Sequence, residues 1–513
     1  MTSTPVPGAS PGAPRRAWQA LIVLLAGMFM ALLDTTIVNV ALPSIRTSLD
    51  ASEATLSWII SGYALAFGLA LIPAGRVGDR FGHKWVFFTG LALFTLASLA
   101  CGLSQNDLQL IIARVVQGLA GGMFVPAVTA VIQLMFPPAV RGKAYAIMGS
   151  VIGVSTALGP IVGGLIIEAF GVENGWRLVF WVNLPIGILA LIATVFLLPG
   201  GAALPQTTQV SRTGVDWLGL VLISAGLVAL LVPLIEGQDQ GWPLWTVFTL
   251  AAGVLLVVAF GAWEVSVAKR DGNPLVPPHL FSHPAFTGGV VLALVYFAAF
   301  TSIFFTISIL WQAGLGRSAL ESGLVSIPFA IGTILGASQS DRLAKRLGRT
   351  ILVVGVALVT IGLIWIWLVM LLTTPGDLTN WHLLPPLFLA GLGSGFFIAP
   401  NVSFIVATVD RSEAGGASGV VGVMQRVGSA VGIAVIGSVF FGTLTVTGPG
   451  ADALATAFTH SATMAMAVSA GFAILALALV FALPRRVAGN GSVLAAEERM
   501  PGAGDPIPAT RSD

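Results

Sequence analysis

Apolar residues run through this chain in long unbroken stretches, without the alternation of a half-buried strand or the stripe of a surface helix. After a start rich in Pro, Gly, Ser and Thr and the pair Arg15-Arg16, they fall roughly at 17–40, 56–74, 85–104, 108–135, 144–168, 178–198, 215–235, 245–267, 286–311, 319–338, 350–372, 384–408, 417–444 and 462–483. About 20 mostly apolar residues carry an α-helix across a bilayer. Lipid offers no partner to a backbone N–H or C=O, so each stretch must be helical. The pattern therefore predicts fourteen transmembrane helices. The first stretch has no cleavage site after a short core and reads as a retained helix, not a removed signal peptide.

Charge placement gives these helices a direction. With the amino terminus in the cytoplasm, nineteen of the 24 Lys and Arg residues fall on the inner side, Arg46, Arg177 and Arg317 fall outside, and Arg114 and Arg426 lie within spans. A missed or extra helix would scramble that bias downstream of the error. Both termini are expected inside, in a cell membrane crossed many times. A weak repeat is also visible. Gly75-Arg-Val-Gly-Asp79-Arg80-Phe-Gly82 follows the second span and Asp341-Arg342-Leu-Ala-Lys-Arg346-Leu-Gly348 the tenth, while Pro126 and Pro400 each follow a glycine-rich run. Two six-helix halves in parallel register account for these offsets. The expected organisation is a disordered cytoplasmic tail at 1–16, a six-helix bundle at 17–198, a linker with two additional helices at 199–284, a second bundle at 285–483 and a disordered tail at 484–513.

Composition narrows the function. Of 513 residues, 56% are apolar and 9% charged, and the mean hydropathy is +0.94. Ordinary soluble domains carry about 25% charged residues. A net charge of +2 gives no reason to expect nucleic acid, and the single cysteine, Cys101, rules out internal disulfides and thiolate metal clusters. No HExxH, GxSxG or GxxxxGK[ST] pattern occurs, so neither an intramembrane enzyme nor a phosphate-loop ATPase is indicated. No cofactor or metal is expected; His279 and His283 are spaced for a ligand pair but lie in a Pro-rich loop.

Charge inside the spans carries the chemistry. Asp34 lies deep in helix 1, in Leu33-Asp34-Thr-Thr-Ile-Val-Asn39-Val-Ala-Leu-Pro43. A charge at such depth costs about 2.5–3.5 kcal/mol on insertion scales, so a titratable acid there suits a carrier of protons or cations; a helix cap or a structural ion pair is the alternative. Arg114 enters helix 4 from the same side and should reach a similar depth, with Gln117 one turn on; a purely structural Arg is the alternative. Gly75, Asp79, Arg80, Gly82, His83 and Lys84 form a short charged inner loop suited to clamping helix ends. Gly159-Pro160-Ile-Val-Gly163-Gly164 puts small residues and a kink on one face of helix 5. Asn39, Trp58, Tyr63, Gln117, Met123 and Arg426 are candidate cavity residues, Arg426 with Asp410 or Glu413 as possible partners. Gln133, Glu236 and Glu264 are expected to snorkel, and the Trp residues at 18, 176, 181, 242, 245, 311 and 381 to anchor at the interfaces.

Together these motifs resemble the fourteen-helix drug:proton antiporter branch of the major facilitator superfamily, over nearly all of 17–483. Trp58 and Tyr63, the run Trp176-Arg177…Asn183-Leu-Pro185-Ile-Gly187, and Gln312-Ala-Gly-Leu-Gly316-Arg-Ser with Gly323 and Pro328 agree with it. The resemblance implies an all-α major facilitator fold. It also implies coupling roles for Asp34 and Arg114, a gating role for the Gly75–Lys84 segment and a conformational role for Gly159, Pro160, Gly163 and Gly164. The implied activity is proton-coupled export of amphipathic organic compounds such as drugs, antibiotics or toxic cations. A dedicated exporter of one endogenous metabolite is the alternative, and a proton-coupled importer a more distant one. The implied partners are a small amphipathic molecule, protons and the lipid bilayer; some relatives also work with a periplasmic adaptor, on which the residues are silent. His83 stands where the loop motif usually has Arg, and Phe388 is expected at the position matching Arg114.

Overall fold

The computed structural model describes residues 15–484 except Ser52, 199–215, Gln238, Asp239, Asp271, Asn273, Thr408, Arg411 and Ser412. Residues 1–14 and 485–513 of the expected tails, most of the first linker stretch and the side chain of Arg80 thus lie outside the described residues. The described chain is all α: α1 (Arg15–Leu49), α2 (Glu53–Phe81), α3 (His83–Leu103), α4 (Asp107–Met135), α5 (Pro138–Trp181), α6 (Asn183–Leu197), α7 (Trp217–Glu236), α8 (Leu244–Lys269), α9 (Pro284–Ile309), α10 (Ala319–Leu324), α11 (Ile327–Leu347), α12 (Thr350–Leu372), α13 (Asn380–Val406), α14 (Ala414–Gly442) and α15 (Ala451–Ala482). Thirteen helical stretches are long and apolar enough to cross a membrane. One of them, Val140–Leu197, has 58 residues, about 87 Å of helix at 1.5 Å per residue, and its continuity breaks at Gly171, where φ is 75°. That stretch makes two crossings, so the described chain crosses fourteen times and begins and ends at the same end of the bundle, the terminal end.

Close backbone approach sets the packing. In α4, a Cβ on Gly118 or Gly122 would stand 2.3 Å from the carbonyl oxygen of Tyr63 or Phe67 in α2. In α13, a Cβ on Gly391 or Gly395 would meet the carbonyls of Phe329 and Thr333 in α11 at 2.1 and 2.4 Å. The same i, i+4 glycine pair thus faces the same i, i+4 carbonyl pair in both halves, and Gly82 and Gly348 turn the chain after the partner helices with φ of 96° and 55°. This register corrects one expectation: it puts Leu387, buried against the core, at the position of Arg114, and Phe388 one residue beyond.

The buried core is not symmetric end to end. At the terminal end one apolar cluster includes α1, α2 and α4 together with Val406, Val409, Ala417 and Val420 from the second half. At the far end of the first half a separate cluster gathers Ile37, Ile45, Cys101, Leu110 and Trp176. The additional helices α7 and α8 pack on each other, with α7 against both α2 and α14, and Trp242 between them donates to Ser438 Oγ at 2.8 Å. Trp176 and Trp311 are fully buried and are core residues, not interfacial anchors; the Trp311 indole donates to Asn380 Oδ1. The Trp176 indole N–H meets no partner among the described residues, and burial alone removes both rings from a headgroup region.

Helix spacing gives a direct test. Gly391→Val should force α11 and α13 apart and destabilise by several kcal/mol, as overpacking at a tight contact does. Gly471→Ala, with nothing within 4 Å of the new methyl group, should leave stability within about 0.5 kcal/mol. Thermal unfolding of the purified protein in one detergent separates the two.

Candidate functional site

Asp34 is fully buried in the first half and surrounded by N–H donors. Arg114 Nη1 donates to its Oδ2 at 2.5 Å, while Gln117 Nε2 and Asn183 Nδ2 donate to its Oδ1 at 3.0 and 2.9 Å. Four helices meet here: α1 supplies the acid, α4 the Arg and Gln, α6 the Asn and α3 a hydroxyl. Ser98 Oγ accepts from both Gln117 and Asn183, at 2.6 and 2.9 Å. Arg114 also donates to Gln117 Oε1 at 2.7 Å and through Nε to Ile59 O at 3.1 Å, and its guanidinium lies 4.0 Å from the centre of the Tyr63 ring. Tyr63 donates in turn to Ala31 O at 3.2 Å. The carboxylate meets donors only. A proton arriving at Asp34 must displace one of these donors or turn one into an acceptor.

Asn183 and Ser98 are the site residues that sequence reading underused. Asn183 was visible within the Trp176–Gly187 motif, but no charge marked it; Ser98 carries no signal in an apolar run. Asn39 does not join them: it is exposed and, five residues beyond Asp34, projects from another face of α1. Trp58 is 37% exposed, and Met123 is half-buried against Gly90 of α3.

The segment Gly75–Lys84 is not a loop. α2 continues helical to Phe81, and the turn is Gly82 alone; helical geometry can persist because its polar groups are met by another helix. Asp79 accepts from the backbone N–H groups of Gly415 and Gly416, at 3.1 and 3.3 Å, which caps α14 from across the two halves where its first amides lack partners. Gly75 makes that approach possible, since a Cβ there would stand 2.3 Å from Gly415 O. His83, 3.3 Å from Asp79, packs on Gly78. Arg76 donates to Leu275 O and, at 2.5 Å, to Pro274 O, and Lys84 binds the carbonyls of Val195 and Leu198 at the end of α6.

The snorkelling expectations fail as well. Gln133 is 1% exposed and donates to Val406 O and Val409 O in the second half, at 3.2 and 3.1 Å. Glu264 is 2% exposed and accepts from Val276 N at 3.0 Å, and Glu236 is 8% exposed. Each is buried, and Glu236 accepts from Gln240 Nε2 at 3.3 Å. Glu413 pairs with His279 at 3.1 Å, and burial pushes its carboxyl above the ordinary range, against the opposing pull of His279 and Arg76. Arg426 meets neither Asp410 nor Glu413; it lies over the Phe67 ring at 4.1 Å.

The helix-5 motif splits between two neighbours. A Cβ on Gly159 would stand 2.0 Å from Thr36 Oγ1, and one on Gly163 3.0 Å from Ile37, so these two receive α1 just beyond Asp34. Pro160 and Gly164 face Gly323 and Leu320 of α10 in the second half. A cleft of about 370 Å³ at the far end, lined by Thr47, Ser48, Val172, Glu173, Asn174 and Arg177, reaches none of these residues. Among the described residues no group of His, Cys, Asp and Glu side chains is placed to hold a metal.

A bundle of fourteen crossings with a repeated glycine register and a buried acid–guanidinium pair defines a membrane transporter of a known class. The model of the Major Facilitator Superfamily matches residues 24–433, and the chain belongs to that family. It is similar to the "Probable actinorhodin transporter" of Streptomyces coelicolor, with 37% identity over 85% of this chain and 75% of the relative. It is also similar to the "Tetracenomycin C resistance and export protein" of Streptomyces glaucescens, with 35% identity over 82% and 76%. Among solved structures, the human organic anion transporter MFSD10 superposes with a TM-score of 0.63 over 91% of this chain and all of that one, at 16% identity; this likeness concerns the fold alone.

Two measurements test the site. Arg114→Gln should cost about 3–5 kcal/mol of stability by leaving a buried charge unpaired, and the Asp34→Asn, Arg114→Gln double variant should be markedly less damaged than the sum of the singles; strict additivity in thermal unfolding would show that the two are not coupled. For Glu413, a carboxyl held above its unfolded value favours the fold below the ordinary carboxylate range and loses that contribution as pH rises through the folded value. Glu413→Gln should therefore gain stability over the native protein at pH 8 but not at pH 4, read from melting temperature against pH.

Proposed function

We propose that this protein exports amphipathic organic compounds from the cell in exchange for protons, with Asp34 as the proton carrier. The observation that carries the reading is the fully buried Asp34 carboxylate, held by Arg114, Gln117 and Asn183 in the first half. The similarity to an actinorhodin transporter and to a tetracenomycin C resistance and export protein supports it. Protonation removes the charge that holds Arg114, freeing a guanidinium that already contacts α2 through Tyr63. The α1–α5 contact at Gly159 and Gly163 lies within two turns of that event and passes it to the face that Pro160 and Gly164 present to α10. Asp79, on the α14 amides, is the latch that this change must open, and Gly75, Gly82, Arg80 and Lys84 belong to the same gate.

With both termini in the cytoplasm, as the distribution of Lys and Arg supports, the sealed terminal end is the cytoplasmic gate and cargo leaves from the far end. Tyr63, Gln117, Trp58, Met123, Asn39 and Arg426 are assigned to the cargo path. Because the relatives are named for single antibiotics, a dedicated exporter of one such compound is the second reading.

In proteoliposomes with an imposed pH gradient, the native protein should concentrate a fluorescent cargo against its gradient, and Asp34→Asn, which keeps size and hydrogen bonding but not the proton, should abolish accumulation while still inserting and folding. Accumulation that survives in the Asn variant would remove Asp34 from the coupling role. Asp79→Asn should slow turnover while leaving equilibrium binding of the cargo within about twofold, since a charge at a helix terminus is worth about 0.3–2 kcal/mol and this one lies far from the midplane. A large loss of affinity at unchanged turnover would place Asp79 in the cargo site instead.

A further inference from the structure

Among the described residues, Arg426 at the junction of the two halves has no counterion. Arg426 lies eleven residues into the 28-residue span Gly415–Gly442, about 16 Å from its start at 1.5 Å per residue. Its guanidinium reaches across to α2 and lies 4.1 Å from the Phe67 ring centre. Among the described residues no carboxylate stands within ion-pair distance of it and it makes no hydrogen bond. None of its nitrogens is sealed off and the side chain is only half-buried, whereas Phe67 beneath it is 2% exposed. Its donors therefore open on the space between the halves.

The contrast with Arg114 is instructive. Two guanidiniums rest on neighbouring rings of one helix, Arg114 on Tyr63 and Arg426 on Phe67, with the ring centres 5.9 Å apart. The first is paired with Asp34 and donates through Nε and Nη1 to Ile59 O, Asp34 and Gln117. The second sits one turn past the glycine seam where Gly419 and Gly422 meet Leu71 and Ile72 and close the terminal end. With Asp34 covered, the charge offered to a molecule above that seam is positive. A lipid headgroup cannot descend to this depth, and an unpaired buried cation is held only by water or by an arriving anion.

Resting on the export reading above, we propose that Arg426 binds the acidic group of the cargo, so that this transporter recognises amphipathic anions: an aromatic or aliphatic body bearing a carboxylate, sulfonate or phenolate. A planar guanidinium pairs with such groups in bidentate fashion. The Phe67 ring fixes the guanidinium plane, and the apolar walls of α2 and α14 take the body of the molecule. Among the expected cargoes this favours acidic compounds over toxic cations, because a cation would meet Arg426 unscreened.

The test uses two probes with one aromatic core and different charge, the anion 1-anilinonaphthalene-8-sulfonate and the neutral N-phenyl-1-naphthylamine, with tetraphenylphosphonium as the cation, each titrated into the full-length protein in nanodiscs. The native protein should bind the sulfonate about tenfold or more tighter than the neutral probe, the range expected of a charge-assisted hydrogen-bonded pair. Arg426→Gln should erase that preference while leaving the neutral probe within about twofold, and Arg426→Lys should restore part of it, since a point charge replaces a planar fork. Undiminished preference in the Gln variant, equal or tighter binding of the cation, or no measurable sulfonate binding by the native protein would each overturn the proposal. A Gln variant that no longer binds the neutral probe or melts early is replaced by Phe67→Leu, which should weaken sulfonate binding alone; equal weakening of both probes there counts against the proposal. Transport separates this from the export reading. Arg426-dependent anion binding without export would sink that reading and leave this one standing, whereas export of cations unchanged in the Gln variant would do the reverse.

Discussion

The interior of the first half is organised around the cost of holding Asp34 and Arg114 away from water. Each ion alone would carry a desolvation penalty of several kcal/mol, and their attraction offsets it only when geometry and further hydrogen bonds are nearly complete. The structure meets that demand with side chains from four helices: Gln117 beside Arg114, Asn183 from α6, Ser98 from α3 and the Tyr63 ring from α2. Such a cluster ties helices 1, 2, 3, 4 and 6 into one body whose packing depends on a single carboxylate. Loss of charge at that carboxylate is therefore felt by helices, not by one side chain.

The glycines set where the helices of this transporter touch. Where a Cβ would stand 2.0–2.5 Å from another helix's backbone or side chain, no residue but glycine fits, and the helices touch over carbonyls and amides. At Gly159 and Gly163 this brings α5 against α1 just past Asp34; at Gly75 it brings α2 against α14, where Asp79 caps bare amides. Contacts made through backbone are firm when seated and leave few side chains to repack when broken, which suits a seam that must open and close. Gln133 and Arg76 add polar ties across the same end, each donating to carbonyls that no helix uses.

The interior electrostatics follow from which charges are paired. Asp34 is neutralised in place, and Glu413 is drawn toward His279 at the sealed end. Arg426 is left facing the junction between the halves with an aromatic ring as its neighbour. A buried guanidinium does not give up its proton, so that positive charge persists through every step in which the two halves move. It distinguishes the second half, which among the described residues has no counterpart of the Asp34 cluster: the glycine register puts Leu387 where Arg114 stands in the first.

The sequence by itself determined the class of the fold, because crossing a bilayer constrains every residue in a span at once. Long apolar runs had to be helices, and the two glycine-rich helices showed the repeat. It also marked Asp34 and Arg114, since a charge within an apolar run stands out whatever surrounds it. Tertiary structure alone decided what those residues touch. Asn183 and Ser98 carry no charge and look like any polar residue in a helix, yet they complete the acid's shell. Gln133 and Glu264 lie near helix ends, where sequence spacing suggests access to water, but neighbouring helices cover them. The Gly75–Lys84 stretch reads as a loop because glycines and charges usually mark one. It remains helical because its carboxylate finds the start of α14, more than three hundred residues away in the chain, a partner that no local pattern can announce.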